Sequence, residues 1–424
     1  MNILIAPDKF KGSLTAQEAA IAMAEGVSEA YNYNRYNNIP CNSPLCIRQL
    51  PMADGGDGSL SVVEQQFKGL RVKCIVYDPL GREIEAEYLL NAKEAFIEMA
   101  AISGLELLRE EERNPIFTST FGLGEAIKDA CFRGAEKISL SIGGSATNDC
   151  GAGMLQALGM KYLLTATRAQ HPERTQQPKR AQQPKRAQHP ERASQPHTVS
   201  NTKINEASRA DIITGGDLQY IKSVDLTEVY RFINENHLKF KVICDVDNPL
   251  IGSLGATYIY SPQKGADQRA QDILELGVRN FAELTSVYHD KGCLFPGAGA
   301  AGGVGYAMHA LLGAELVGGS LFFAELNHLD EMVEWADAVL TGEGCLDEQS
   351  FNGKVTGAMY DRCRRYKKRL YIMCGISKLQ TLPDNTGVYS LASVSKDGRD
   401  SLEKAYKYLK EVTFNTFIGK NSNL

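Results

Sequence analysis

The chain has 424 residues, too many for one domain of the usual ~150, so two domains are the expectation. With 43% apolar and 23% charged residues, it has the make-up of a globular protein that can bury a sizeable core, which excludes a wholly disordered or fibrous chain. A net charge of −5 excludes a nucleic-acid binder held by bulk positive charge, and no apolar run approaches a membrane span, so neither nucleic acid nor membrane is expected as a partner.

At the N-terminus, Ile3–Pro7 is a short strand-like run. The leading MNILIAPDKF has neither the basic head nor the long apolar core of a signal peptide. A cytoplasmic protein is expected, in keeping with ten scattered cysteines of which no pair has CxxC spacing. Asp8, Lys9 and Lys11 follow the strand, and a lysine there can neutralise phosphate or carboxylate. Thr15 and Glu18 have the spacing of a capping box, which predicts a helix through about Val27. YNYNRYNNIPCNS at 31–43 reads as a polar, Asn-rich loop. PMADGGDGS at 51–59 sets Asp54 and Asp57 among three glycines, which suits a small anion or a metal-bound ligand; a structural Asx turn is the alternative.

Ile138–Ile142 precedes IGGSATND, a loop of glycine, hydroxyl and carboxylate residues that opens a helix over Met154–Leu158 and can aim backbone N–H groups at an anion. Residues 168–197 then break the pattern with five tandem six-residue copies, each carrying a proline. Proline every sixth residue excludes a helix, and the segment has nothing large and apolar to bury. It carries +5, leaving −10 on the rest, and reads as a disordered, solvated insertion. Further on, Lys241–Cys244 precedes Asp245, Asp247 and Asn248, and SPQKGAD brings Lys264.

Gly297-x-Gly299-x-x-Gly302 formally matches a dinucleotide fingerprint, but the preceding CLFP makes a poor strand. A glycine-rich approach to phosphate fits better, with tight packing as the alternative. Ala336–Leu340 precedes TGEGCLDEQSFNGK, whose Glu343, Asp347 and Lys354 suit Mg–phosphate binding, and Leu370–Cys374 precedes GISK. Strands alternating with helices predict parallel α/β sheets, in which ligands bind beyond the carboxyl ends of the strands. No HxxxH or HExxH pattern supports a catalytic zinc, and no GxSxG elbow supports a serine hydrolase.

The ordered motifs APDKFKGSLTA, PMADGGDGS, NPIFTSTFGLGEAI, IGGSATNDCGAG, CDVDNPLIGSLGA, SPQKGAD, GAGAAGGVG and TGEGCLDEQSFNGK closely resemble the type I glycerate kinase family, from residue 3 to about 375. The resemblance implies ATP-dependent phosphorylation of D-glycerate with Mg²⁺, and two α/β domains with the active cleft between them. One would be flavodoxin-like with a parallel sheet, from 1–75 and 292–424; the other, 76–291, would be inserted into it. On this reading Asp54 and Asp245 are base or metal candidates, unresolved between them, with Asp57 and Asp347 as further metal candidates. Lys9, Lys264 and Lys354 are the cations for phosphate or the glycerate carboxylate, and Asp8, Ser145, Thr147 and Asn148 contact the small acid. Gly297, Gly299, Gly302, Gly303, Gly342 and Glu343 serve the nucleotide. 2-Phosphoglycerate is favoured over 3-phosphoglycerate as product. The chain departs from the family pattern at Cys150, Cys345, Gln349-Ser350 and Thr356. The residues also leave open a dinucleotide-dependent oxidoreductase or a non-catalytic binder of small acids.

Overall fold

The computed structural model describes residues 1–37, 39, 44–165, 211–351, 354–381 and 384–419; the repeat at 168–197 lies outside the described residues. Its strands begin with β1 (Asn2–Ile5), β2 (Cys46–Gln49), β3 (Leu70–Tyr77), β4 (Glu83–Asn91), β5 (Glu94–Glu98) and β6 (Lys137–Ser141). β7 (Lys161–Leu164), β8 (Ile221–Asp225), β9 (Lys239–Ile243) and β10 (Glu315–Val317) follow. β11 (Ala338–Leu346), β12 (Arg369–Ser377) and β13 (Thr386–Ser390) complete them.

The first sheet runs β2-β1-β11-β12-β13, every neighbouring pair parallel. Because strand side chains alternate between faces, Leu4, Val339, Leu370 and Ile372 enter one core while Ile3, Ile5, Leu340 and Tyr371 enter the other. This is the expected flavodoxin-like order, and the order reverses between β1 and β11. The capping box at Thr15 is present, with Glu18 N–H donating to Thr15 Oγ1 at 3.2 Å. The helix it opens runs Ala16–Tyr36, past Val27 and into the stretch expected to be a loop. The reason lies far along the chain: the helix Ala405–Phe417 packs on it, and buried Asn34 donates to Phe417 O at 3.0 Å.

The second sheet, β10-β9-β6-β5-β4-β3, is parallel from β10 to β5 and antiparallel from β5 to β3. In chain order its strands fall between β2 and β11 of the first sheet. The expected edges at 75/76 and 291/292 do not follow the strands, however. β3 begins at Leu70, and β10 pairs with β9 in the second sheet, because Glu315–Val317 completes the parallel ladder beside Lys241–Ile243. β7 and β8 form a separate antiparallel pair. No helix among the described residues is long and apolar enough to cross a membrane.

Candidate active site

The order reversal between β1 and β11 is where a doubly wound sheet offers a crevice. There Asp8 N–H donates to Gly342 O at 2.9 Å, so the loop after β1 is tied to β11 itself. Burial pushes the Asp8 carboxyl up to about 8, and the charge of Asp54 adds to it. Asp54 accepts from Gly56 N–H at 3.0 Å, and Lys9 Nζ donates to Asp57 O at 2.5 Å. From the second sheet, Asp245 follows β9. Burial pushes its carboxyl up to about 7; hydrogen bonds from Gly319 and Ser320 N–H oppose this, and Asp54 adds to it. Asp245 Oδ1 accepts from Gly319 N–H at 2.5 Å, and its Oδ2 is buried without a hydrogen-bond partner among the described residues. Gly319 cannot carry a side chain here: a Cβ would meet Asp54 O at 2.2 Å and Asp245 Oδ2 at 2.8 Å.

The loop 142–149 links this acidic cleft to a second polar cluster. Gly143 N–H donates to Gly55 O at 3.0 Å at one end. At the other, Lys264 Nζ donates to Ser145 Oγ at 2.8 Å and to Thr147 O at 2.7 Å. Lys264 is 2% exposed, and burial drives its pKa down to about 7, opposed by the charge of Asp149. Asn148 Nδ2 donates to Thr257 Oγ1 at 3.2 Å, while Thr147 Oγ1 and Asn148 Oδ1 are buried without hydrogen-bond partners among the described residues. Buried polar atoms are ordinarily paired, so this cluster has hydrogen-bonding capacity left for a ligand.

Asp57 is exposed, Asp347 is occupied in a turn where its Oδ1 accepts from Gln349 N–H at 3.0 Å, and no group of three metal-ligating side chains forms among the described residues. The TGEGC motif is strand, not loop, because β11 pairs with β12 as far as Leu346 opposite Ser377. Gly297, Gly299, Gly302 and Gly303 face protein: a Cβ on Gly302 would meet Thr147 O at 2.1 Å, and one on Gly299 would meet Pro249 O at 2.3 Å. Gly302 and Gly303 thus pack against the 147–150 segment and Gly299 against the 248–256 segment. The element directly before Gly297 is the 3-10 turn Ser286–Tyr288, not a strand, so the dinucleotide fingerprint lacks its structural context.

Lys354 precedes the helix Val355–Arg365, and its charge opposes the upward push that burial gives Glu343. Thr356, a departure from the family pattern, donates from Oγ1 to Glu343 Oε1 at 2.6 Å. Cys345 is exposed on β11, and Cys150 holds a φ of +53°. Two carboxylates escaped the sequence reading. Asp149 is fully buried and accepts from Thr120 N–H and Oγ1 at 2.8 and 2.7 Å. Glu98, at the end of β5, accepts from Gly58 N–H at 3.0 Å and Leu60 N–H at 2.6 Å.

A profile of the glycerate kinase family matches residues 3–199 and 201–417. The chain belongs to the glycerate kinase family. A glycerate kinase of Halalkalibacterium halodurans is 36% identical over 368 residues, covering 86% of this chain and 83% of the relative. The glycerate 2-kinase of Escherichia coli K12 is 34% identical over 391 residues, covering 92% and 87%. A crystal structure from Salmonella typhimurium LT2, provisionally described as glycerate kinase 2, superposes with a TM-score of 0.71 at 31% identity, covering 98% of this chain and 97% of the other. As a member of the glycerate kinase family, this chain is a kinase, so the oxidoreductase and non-catalytic readings fall away.

Proposed function

We propose that the chain transfers the γ-phosphoryl group of ATP to D-glycerate in the cleft between the two sheets, giving 2-phosphoglycerate. Lys264 carries the reading. A buried lysine without a hydrogen-bonded carboxylate is unfavourable in an empty site, and a small acid supplies the missing partner. Lys264 and Ser145, with the unpaired oxygens of Thr147 and Asn148, make a polar cradle for the carboxylate and hydroxyls of glycerate. Holding the carboxylate there presents the adjacent 2-hydroxyl along the 142–149 loop, toward Asp54 and Asp245. The Escherichia coli relative's name, glycerate 2-kinase, supports the same position.

Phosphoryl transfer asks for alignment and charge balance more than covalent help. As the hydroxyl oxygen bonds to the γ-phosphorus and ADP departs, Asp54 or Asp245 takes the hydroxyl proton. Lys9 offers its ammonium to the phosphates, and Gly342, Glu343 and Lys354 line the nucleotide side of the β1/β11 crevice. The donor set suits Mg²⁺, which one or two carboxylates hold together with waters and substrate phosphates. Asp54 and Asp245 would hold it, the unpaired Asp245 Oδ2 being the free oxygen, and the ion would neutralise charge on the phosphates. Free thiols at the nine described cysteines fit a reducing, cytoplasmic setting.

The test is ADP release, followed by a coupled assay with D-glycerate, L-glycerate and no acceptor. Release that requires D-glycerate supports the proposal. Equal release without an acceptor would make the chain an ATPase and overturn it.

A further inference from the structure

We propose that Glu98 is a positioning residue for phosphoryl transfer: from the second sheet, it orients the Asp57–Gly58 peptide that holds the ammonium of Lys9. The inference rests on the kinase reading above. That single peptide unit is gripped on both sides. Its N–H donates to Glu98 Oε1 at 3.0 Å, and its carbonyl accepts from Lys9 Nζ at 2.5 Å. The second Glu98 oxygen takes the Leu60 N–H at 2.6 Å, so the carboxylate cannot swing away without losing both bonds.

Ordinary helix capping does not need this arrangement. The helix Ser59–Phe67 starts after Gly58, whose φ of +88° and missing side chain leave it no cap of its own. A serine or aspartate on the loop commonly does that work. Here a glutamate 40 residues away in sequence does it, from a strand whose Ala95, Phe96 and Ile97 are fully or almost fully buried. Glu98 itself is only 4% exposed. A buried carboxylate is retained at a desolvation cost, so its bonds have to matter. A carboxylate on the N–H side of a peptide also polarises its carbonyl, strengthening the bond that the carbonyl accepts. The loop of Asp54 and Asp57 follows β2 of the first sheet, yet Glu98 and the Gly143–Gly55 bond fasten it to the second. Lys9, on the first sheet, is thereby set by a residue of the other.

Glu98→Gln turns an NH₂ group against one of the two N–H donors and releases the peptide. In a folded E98Q enzyme, kcat should fall by ~10-fold or more, the loss of one charge-assisted hydrogen bond. Adding E98Q to a Lys9→Ala enzyme should change kcat by less than ~2-fold, because the residue it acts through is gone. An effect of equal size with and without Lys9, or a wild-type rate in E98Q, would overturn the proposal. If E98Q fails to fold, Glu98→Asp, which keeps the charge but retracts it by one methylene, is read in the same way. A readout independent of turnover is competitive acetylation of Lys9 with acetic anhydride, followed by mass spectrometry. E98Q should label Lys9 several-fold faster than the parent; an unchanged labelling rate would contradict the hold on Lys9. If the parent transferred no phosphate to D-glycerate while labelling still rose, the kinase reading would fail and the Glu98–Lys9 link would stand.

Discussion

The ammonium of Lys264 lies 2.8 Å from the hydroxyl of Ser145, in a cluster shielded from solvent. Its pKa falls from 10.5 to about 7 because burial penalises the charge. Between those values the unfolded chain binds a proton at this site that the folded chain does not, so this group makes stability rise with pH from about 7 to 10.5, and its penalty is fully present below about 7. Lys264→Met should lack that slope in denaturant titrations across the range. It should leave the melting temperature near or above the parent's while cutting kcat/KM for D-glycerate by at least ~100-fold. A large fall in stability at pH 7 would argue that Lys264 is a structural tie.

The same shift predicts proton uptake on binding. At pH 8 Lys264 is largely uncharged, and a bound carboxylate restores its charge by drawing one proton from solution. Calorimetric titration of D-glycerate in two buffers of different ionisation enthalpy should give an uptake approaching one proton at pH 8 and less at pH 6. Proton release at pH 8 would contradict this.

The strands that carry these loops can be read in the sequence because a parallel strand buried on both faces is a continuous apolar run. Ile3–Ile5, Val242–Ile243 and Val339–Leu340 are of this kind. Loops follow at the carboxyl ends of such strands, so Asp8 after β1 and Asp245 after β9 could be named as candidates from position and residue type. What the sequence hid depends on distant partners. Tyr31–Tyr36 looks like loop until the helix Ala405–Phe417 packs beside it and takes the buried Asn34 as a hydrogen-bond donor. Glu98 looks like a charge at a strand end, and only the fold brings Gly58 and Leu60 to it. The sequence also gives no sign that Gly299, Gly302 and Gly303 pack tightly against the 248–256 and 147–150 segments.

Asp54→Asn and Asp245→Asn should each reduce turnover by at least ~100-fold, as expected on losing a base or a metal ligand. Asparagine at 245 keeps an acceptor for Gly319 N–H, so folding should survive. Asp245 titrates at about 7, and a protonated carboxyl neither accepts a proton nor holds a cation. The acid limb of kcat/KM should therefore lie near pH 7 at limiting Mg²⁺ and move to lower pH at saturating Mg²⁺. A limb that stays in place would remove Asp245 from the metal site.

Thr356→Val takes away the hydroxyl that donates to Glu343 at 2.6 Å. Leaving the half-buried carboxylate short of a donor should lower stability by about 1–2 kcal/mol and raise KM for ATP more than KM for glycerate. A shift confined to glycerate would move Glu343 from the nucleotide side to the acid side.

Deleting 168–197 should leave kcat and both KM values within about twofold, a change under ~0.5 kcal/mol. β7 and β8 already bring the flanking chain together, with Thr165 N–H donating to Tyr220 O at 2.8 Å. A loss of kcat beyond tenfold with the fold intact would give the repeat a part in the site.

The site is defined by which oxygen of which acid receives the phosphoryl group. ³¹P NMR of the product from D-glycerate, ATP and Mg²⁺, compared with authentic 2- and 3-phosphoglycerate, reads this directly. The prediction is a single phosphomonoester signal coincident with 2-phosphoglycerate, absent when Lys264→Met or Asp245→Asn replaces the parent. A 3-phosphoglycerate signal would contradict the assigned position, and inorganic phosphate alone would contradict the kinase site itself.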